Sequence, residues 1–222
     1  VWSMYDYNRG CCDNICYSGV ADIFRLPKFS LSFFRTQIAE GSMLPSGKMP
    51  YEVFIPAYRD EILSDTVMVY GNVDEVELVL NGKTIRRQTA DKGPDSDYIP
   101  VPNGGNGKNL HFPPFTFYGV SKERGVLKAV GYHQGKKVAE YTVKTPGVPE
   151  RLDITYFESG KPATKNDLLI VYVRMLDKQG VLCPVNGIPV ELSVQGGEIV
   201  GPTSYPLEAG VASFLVRTGE IS

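Results

Sequence analysis

Along most of the chain, apolar and polar residues alternate with a period of two, the signature of half-buried β-strands. The clearest stretch is DTVMVYGNVDEVELVLNGKTIRRQ. There Val67 and Val69 alternate with Met68 and Tyr70, and Val76, Leu78 and Leu80 alternate with Glu77 and Val79. Asn81-Gly82 then predicts a type I′ hairpin turn, whose two central residues must tolerate positive φ. GVLKAVGYHQGKKVAEYTVKT repeats the pattern around Gln134-Gly135. A second series, RLDITYF, DLLIVYVRMLDKQGVLCP, IPVELSVQ and GVASFLVRT, turns at Asp177-Lys178-Gln179-Gly180. Turn signals every 8–12 residues predict β-sandwiches rather than βαβ units.

Residues 1–45 break this pattern. A short apolar strand carrying Trp2 leads through a cysteine-bearing loop to VADIFRLPKFSLSFFRTQIAE, where Phe29, Phe33, Phe34 and Ile38 recur at helical spacing. The reading is a helix over roughly 27–39, with Pro27 in its first turn, where a missing N–H costs nothing. GSMLPSGKMP (41–50) and TPGVPE (145–150) read as linkers, and GPDSDYIPVPNGGNGKNLHFPPF as an irregular loop. The expected organisation is a strand-loop-helix segment over 1–45, a sandwich over 46–147 and a second over 148–222. The last is short for an immunoglobulin-like sandwich of about 100 residues, so it is expected to lack its final strand or two.

Composition narrows the function classes. The 222 residues carry 23 basic and 25 acidic side chains, a net charge of -2. That balance gives no electrostatic case for nucleic acid or an anionic membrane. No apolar run approaches the ~20 residues a membrane span needs.

Candidate chemistry is sparse. The cysteines are Cys11, Cys12, Cys16 and Cys183. CC-x3-C with one distant cysteine is not the paired-ligand spacing of a zinc site. A bridge from Cys11 or Cys12 to Cys16 is the lesser reading, subject to the distance limits on bridged Cα atoms, and free, half-buried thiols are the default. His111 and His133 have no nucleophile in an elbow context near them. NGGNGK (103–108) lacks the ending and the following helix of a phosphate loop. The carboxylates Asp60, Glu61, Asp74, Glu75, Glu77, Asp95, Asp97 and Glu191 show no pairing across a cleft. No metal or cofactor is expected. Tyr98, His111, Phe112, Phe115, Phe117 and Tyr118 would be the aromatics of a glycan-binding face, although FPPFTFYG reads more simply as a strand returning to the core. Trp2, taken by itself, reads as core; a tryptophan face is also a platform for sugar C–H groups.

VWSMYDYNRG and CYSGVADIFRLPKFSLSFFRTQ resemble the end of the catalytic barrel in glycoside hydrolase family 2, the β-galactosidase and β-glucuronidase family. Trp2 and Asp6 match the Trp and following Asp of the eighth barrel strand. Arg25, Pro27 and Lys28 match the short basic stretch that enters the next helix. Asn72 through Lys83 resemble the immunoglobulin-like domain that follows the barrel, and DLLIVYVRMLDKQG resembles the next sandwich. The resemblance implies a mainly β chain of two immunoglobulin-like β-sandwiches, preceded by a strand-loop-helix remnant of a (β/α)8 barrel. It implies a fragment that begins inside the barrel, downstream of both catalytic glutamates of a retaining glycosidase, and is itself inactive. Trp2 and, more weakly, Asp6 would face substrate in the intact parent. The implied partners are the upstream barrel and its carbohydrate substrate, with homo-oligomer formation through the Phe29/Phe33/Phe34 face. The implied compartment is the periplasm or cell surface, while reduced cysteines would suit a cytoplasmic parent equally. The alternatives are a pair of carbohydrate-binding modules and a purely structural stack of immunoglobulin-like domains.

Overall fold

The computed structural model describes residues 3–10, 14–58, 65–91, 110–157 and 161–219. Trp2, Cys11, Cys12, Asp60, Glu61, Asp95, Asp97, Tyr98 and the NGGNGK stretch lie outside them. The chain is mainly β and divides into two compact units, residues 1–145 and 146–222.

The larger unit begins with β1 (Ser3–Tyr5), which runs parallel to β4 (Gly19–Ala21). Between them the chain makes a small antiparallel hairpin of β2 (Tyr7–Asn8) and β3 (Ile15–Cys16). Helix α1 (Phe29–Arg35) follows. It starts two residues later than Pro27 suggests, because Pro27 is held in a bridge to Ala21 and the Lys28 N–H donates to the Val20 carbonyl. It also ends early. Gln37 and Ile38 make tighter i−3 bonds to Phe34 and Arg35, and the Thr36 hydroxyl turns back onto the Phe33 carbonyl.

Two sheets share one core. The first is β11 (Phe115–Phe117), β8 (Val67–Gly71) and β7 (Val53–Phe54); the second is β10 (Lys83–Thr89), β9 (Glu75–Leu80), β12 (Val126–His133) and β13 (Lys136–Lys144). Val67 and Val69 from one sheet meet Val76, Leu78 and Leu80 from the other, with Phe115 and Phe117 fully buried among them. That burial removes both phenylalanines from any glycan-binding face. Both hairpins form where the sequence predicts, with positive φ at Asn81 and Gly82 and again at Gln134 and Gly135.

The helix is packed onto this sandwich. Phe29 contacts Phe54 and Tyr58, and Phe33 meets Tyr70 edge-on at 5.0 Å between ring centroids. Arg35 forms a two-pronged ion pair with Glu52. The Gln37 amide pairs with both backbone groups of Phe112, 75 residues away.

The stretch read as a linker is instead a fixed hairpin of β5 (Met43–Leu44) and β6 (Gly47–Lys48), followed by the buried Met49. The residue that fixes it is Asn72, which is 3% exposed. Its amide nitrogen donates to the carbonyls of Ile38 and Pro50, each at 3.0 Å, and its oxygen accepts the Glu52 N–H. Asn72→Ala strands three backbone groups and is expected to cost about 2 kcal/mol. Urea unfolding of the chain, read alongside hydrogen exchange of residues 38–52, checks this.

The smaller unit has a four-stranded sheet in the order β14 (Pro149–Tyr156), β15 (Leu168–Asp177), β19 (Val211–Thr218), β17 (Gly197–Ile199). A two-stranded sheet of β16 (Pro189–Glu191) and β18 (Ser204–Pro206) supplies the facing layer. Val190, Leu192 and Leu207 pack there against Val173, Ala212, Phe214 and Val216. Leu152, Ile154 and Tyr156 lie on the same sheet face, opposite Met175, Val173 and Val171, yet remain about half exposed. Their strand extends beyond the cover of the facing layer.

Candidate functional site

The chemistry-bearing residues of the first segment gather where β1 ends. Asp6 follows Tyr5 directly, and its N–H donates to the Ala21 carbonyl at 3.0 Å, prolonging the parallel pairing by one bond. Its side chain points inward and is 5% exposed. Asp6 Oδ1 accepts the Gly19 N–H at 2.9 Å and the Lys28 ammonium at 2.7 Å. Lys28 Nζ also donates to the Tyr17 carbonyl at 3.1 Å and lies 6.0 Å from the centre of the Tyr17 ring. One lysine, at the N-cap of the helix, thus ties together the strand end and the returning loop.

The geometry demands glycine at position 19. A Cβ there would fall inside van der Waals contact with the backbone of Tyr5 and Asp6, which cannot move aside. Without a side chain the two strands close onto the Asp6 carboxylate.

Nearby, Asp22 Oδ1 caps the Leu26 N–H at 2.7 Å. Burial pushes its carboxyl above the usual carboxylate range, with the neighbouring Asp6 charge adding to the effect. Arg25, held at a φ of 69°, places its guanidinium 5.5 Å from the Tyr5 ring. Tyr17, Met4 and Tyr5 are exposed around this cluster.

Cys16 sits on the same rim as a free thiol, 3.4 Å from the Ser18 hydroxyl. That hydrogen bond, with help from Tyr7, holds its pKa below the ordinary thiol value. Cys183 is likewise outside any disulfide but 2% exposed, and its thiol faces the carbonyls of Gly147 and Val181. Cys16 is therefore expected to alkylate with iodoacetamide at least tenfold faster than Cys183 in the folded chain. Peptide mapping resolves the two sites, and equal rates would contradict the assignment.

Asp6 thus lies buried beneath the surface, where its carboxylate accepts from the Gly19 N–H and the Lys28 ammonium. Trp2 lies outside the described residues. The sequence marked Lys28 as part of a basic stretch but not as the partner of Asp6. The pairing spans 22 residues, and no local pattern encodes it. Among the described residues no group of three or more His, Cys, Asp or Glu side chains is placed to hold a metal ion. No described helix is long and apolar enough to cross a membrane.

Comparison with known proteins places this arrangement. Residues 64–139 match a family described only as a domain of unknown function, DUF4982. A β-galactosidase of Thermoanaerobacter pseudethanolicus is 33% identical over 98% of the chain. A β-galactosidase of Rhizobium radiobacter is 30% identical over 49% of the chain and 78% of its own length. Among solved structures, a β-glucuronidase from glycoside hydrolase family 2 superposes over 97% of the chain with a TM-score of 0.73, at 21% identity. The chain spans 29% of the Thermoanaerobacter protein and 22% of that β-glucuronidase. It belongs to glycoside hydrolase family 2, the β-galactosidase and β-glucuronidase family, and corresponds to a partial region of such proteins.

Proposed function

We propose that the chain is the C-terminal accessory region of a bacterial retaining glycosidase acting on β-galactosides or related β-linked sugars. It is itself non-catalytic. Residues 1–45 are the last strand and helix of the catalytic barrel, residues 46–147 an immunoglobulin-like sandwich, and residues 148–222 a second such sandwich. The observation that carries this reading is the parallel pair β1–β4 running into α1. In a (β/α)8 barrel each parallel strand is followed by a helix, as β4 is by α1 here, and an immunoglobulin-like sandwich has no use for such a segment. The similarity to β-galactosidases over nearly the whole chain supports the same reading.

In such a barrel, chemistry takes place at the C-terminal ends of the strands. Here that end carries Asp6, Lys28, Tyr17 and Cys16. Asp6 and Lys28 act as positioning residues that set the loop after β1, and Trp2 is the residue proposed to face sugar. The acid/base and nucleophilic glutamates of the retaining mechanism belong to strands outside this chain. The sandwich of the larger unit buttresses the barrel through α1, and the parent works in the periplasm or at the cell surface.

The test compares the 222-residue chain with the longer protein from which it comes. Both are assayed on p-nitrophenyl β-galactoside and β-glucuronide. The longer protein is expected to turn over one of them and the chain neither. Turnover by the chain alone would overturn the accessory reading, and an inactive longer protein would overturn the glycosidase reading.

A further inference from the structure

A second recess lies away from the β1–β4 rim, between α1, the first strand of the sandwich and its last. Its volume is about 340 Å³, and Ser32, Arg35, Tyr51, Glu52, Phe54 and Tyr141 contribute to its walls. That size is at the lower end of the range for small-molecule sites. We propose that this recess binds a neutral sugar, one or two rings in size.

The walls divide by chemistry in the way a sugar ring does. Phe54, held edge-on against Tyr141 at 5.1 Å, presents an apolar surface for C–H groups. The polar part of the wall is the Arg35–Glu52 fork, with both partners partly exposed at 40% and 26%. The fork holds the Glu52 carboxylate and the Arg35 guanidinium in one fixed arrangement at the wall of the recess. Three hydroxyls join it. Among the described residues, those of Ser32, Tyr51 and Tyr141 have no hydrogen-bond partner. Burial raises the pKa of Tyr141, so its hydroxyl remains protonated and able to donate.

Charge selects against an anion. The one guanidinium is already matched by Glu52, which accepts from both its Nε and its Nη2. The neighbouring carboxylate of Glu140 is matched by Lys137 and Lys128. An incoming carboxylate would find no uncommitted cation among these groups and two acidic side chains nearby. A neutral polyol meets no such cost. Sugar is preferred over other polyols on the strength of the glycosidase reading, whereas the recess and its unpaired hydroxyls stand without it.

The experiment is an amide-resolved NMR titration of the 222-residue chain with galactose, lactose, glucuronate and glycerol. Galactose or lactose is expected to saturate at millimolar concentration and to shift amides of residues 32–35, 51–54 and 139–141. Tyr141→Phe and Ser32→Ala remove hydroxyls and little packing. Each is expected to weaken binding about fivefold, the equivalent of one hydrogen bond, with no change in melting temperature. Glucuronate is expected to bind more weakly than galactose. Saturable shifts elsewhere, no saturation with either neutral sugar, equal binding by glycerol, or tighter binding by glucuronate would each overturn the proposal. Hydrolysis by the longer protein is scored separately. Activity there without sugar binding here removes this site alone, and binding here without activity there removes the glycosidase reading alone.

Discussion

Lys28→Met is expected to destabilise the larger unit by about 3 kcal/mol and to loosen the rim at the end of β1. The substitution keeps the aliphatic stem and removes only the ammonium. Asp6 is then left as a buried carboxylate whose described side-chain partner is the Gly19 N–H. A buried charge stripped of its counter-ion costs more than the pair ever contributed, because its lost hydration is no longer repaid. Lys28 is about one-third exposed, which places the cost at the low end for buried pairs. The double variant Asp6→Asn with Lys28→Met removes both charges together and should recover a good part of the loss. A double-mutant cycle by urea unfolding measures that coupling. Additive losses would mean that the two residues do not act as a pair. In the longer protein the same single change is expected to lower kcat/KM more than Asn72→Ala does, because only Lys28 touches the loop after β1.

Asp177→Asn is expected to lower the melting temperature of the smaller unit by about 5–10 °C at neutral pH. Asp177 is 1% exposed and closes the turn after β15 with both oxygens. One accepts the N–H groups of Gln179 and Val181 at 2.8 Å each, and the other accepts the Gly147 N–H at 2.7 Å. The Gly147 bond is the first cause holding its carboxyl below the usual carboxylate range, and the bonds from Val181 and Gln179 add to it. The sign follows from linkage. A carboxyl whose folded pKa is depressed contributes its stability above the unfolded pKa, near 4, and loses it as pH falls through the lower folded value. The gap between wild type and Asp177→Asn is therefore expected to be full at pH 6–7 and to close as pH falls below about 4. Melting followed at several pH values measures it. A gap that stays constant down to pH 2 would assign the effect to shape rather than charge.

The strands were legible where local rules decide them. Asn81-Gly82 and Gln134-Gly135 mark their turns because positive φ is a demand that few residues meet. Val76, Leu78 and Leu80 name their own buried face by alternation. Long-range contacts left no such mark. GSMLPSGKMP has the composition of a linker, yet it pairs with itself as a hairpin whose two ends are anchored by the side chain of Asn72. The helix looked longer because Phe29 to Ile38 keep the period, while Gln37 is drawn off to Phe112. Asp6 and Lys28 were both visible in the sequence, one at a strand end and the other in a basic stretch. Their bond depends on β1 and β4 lying parallel, which no local pattern encodes.

The pairing of Gln37 with Phe112 also sets a timetable. A ribosome adds about 5–20 residues per second, so the partner of Gln37 emerges roughly 4–15 s after it. Tyr70, which receives Phe33, appears sooner, but its sheet is incomplete until Phe115–Phe117 has been made. During that interval Phe29, Phe33 and Phe34 have no sandwich to rest on. A nascent chain carrying three unplaced phenylalanines is a client for whatever guards the exit tunnel. Synthesis slowed over the codons for residues 40–110 would lengthen that exposure, and synthesis hastened there would shorten it.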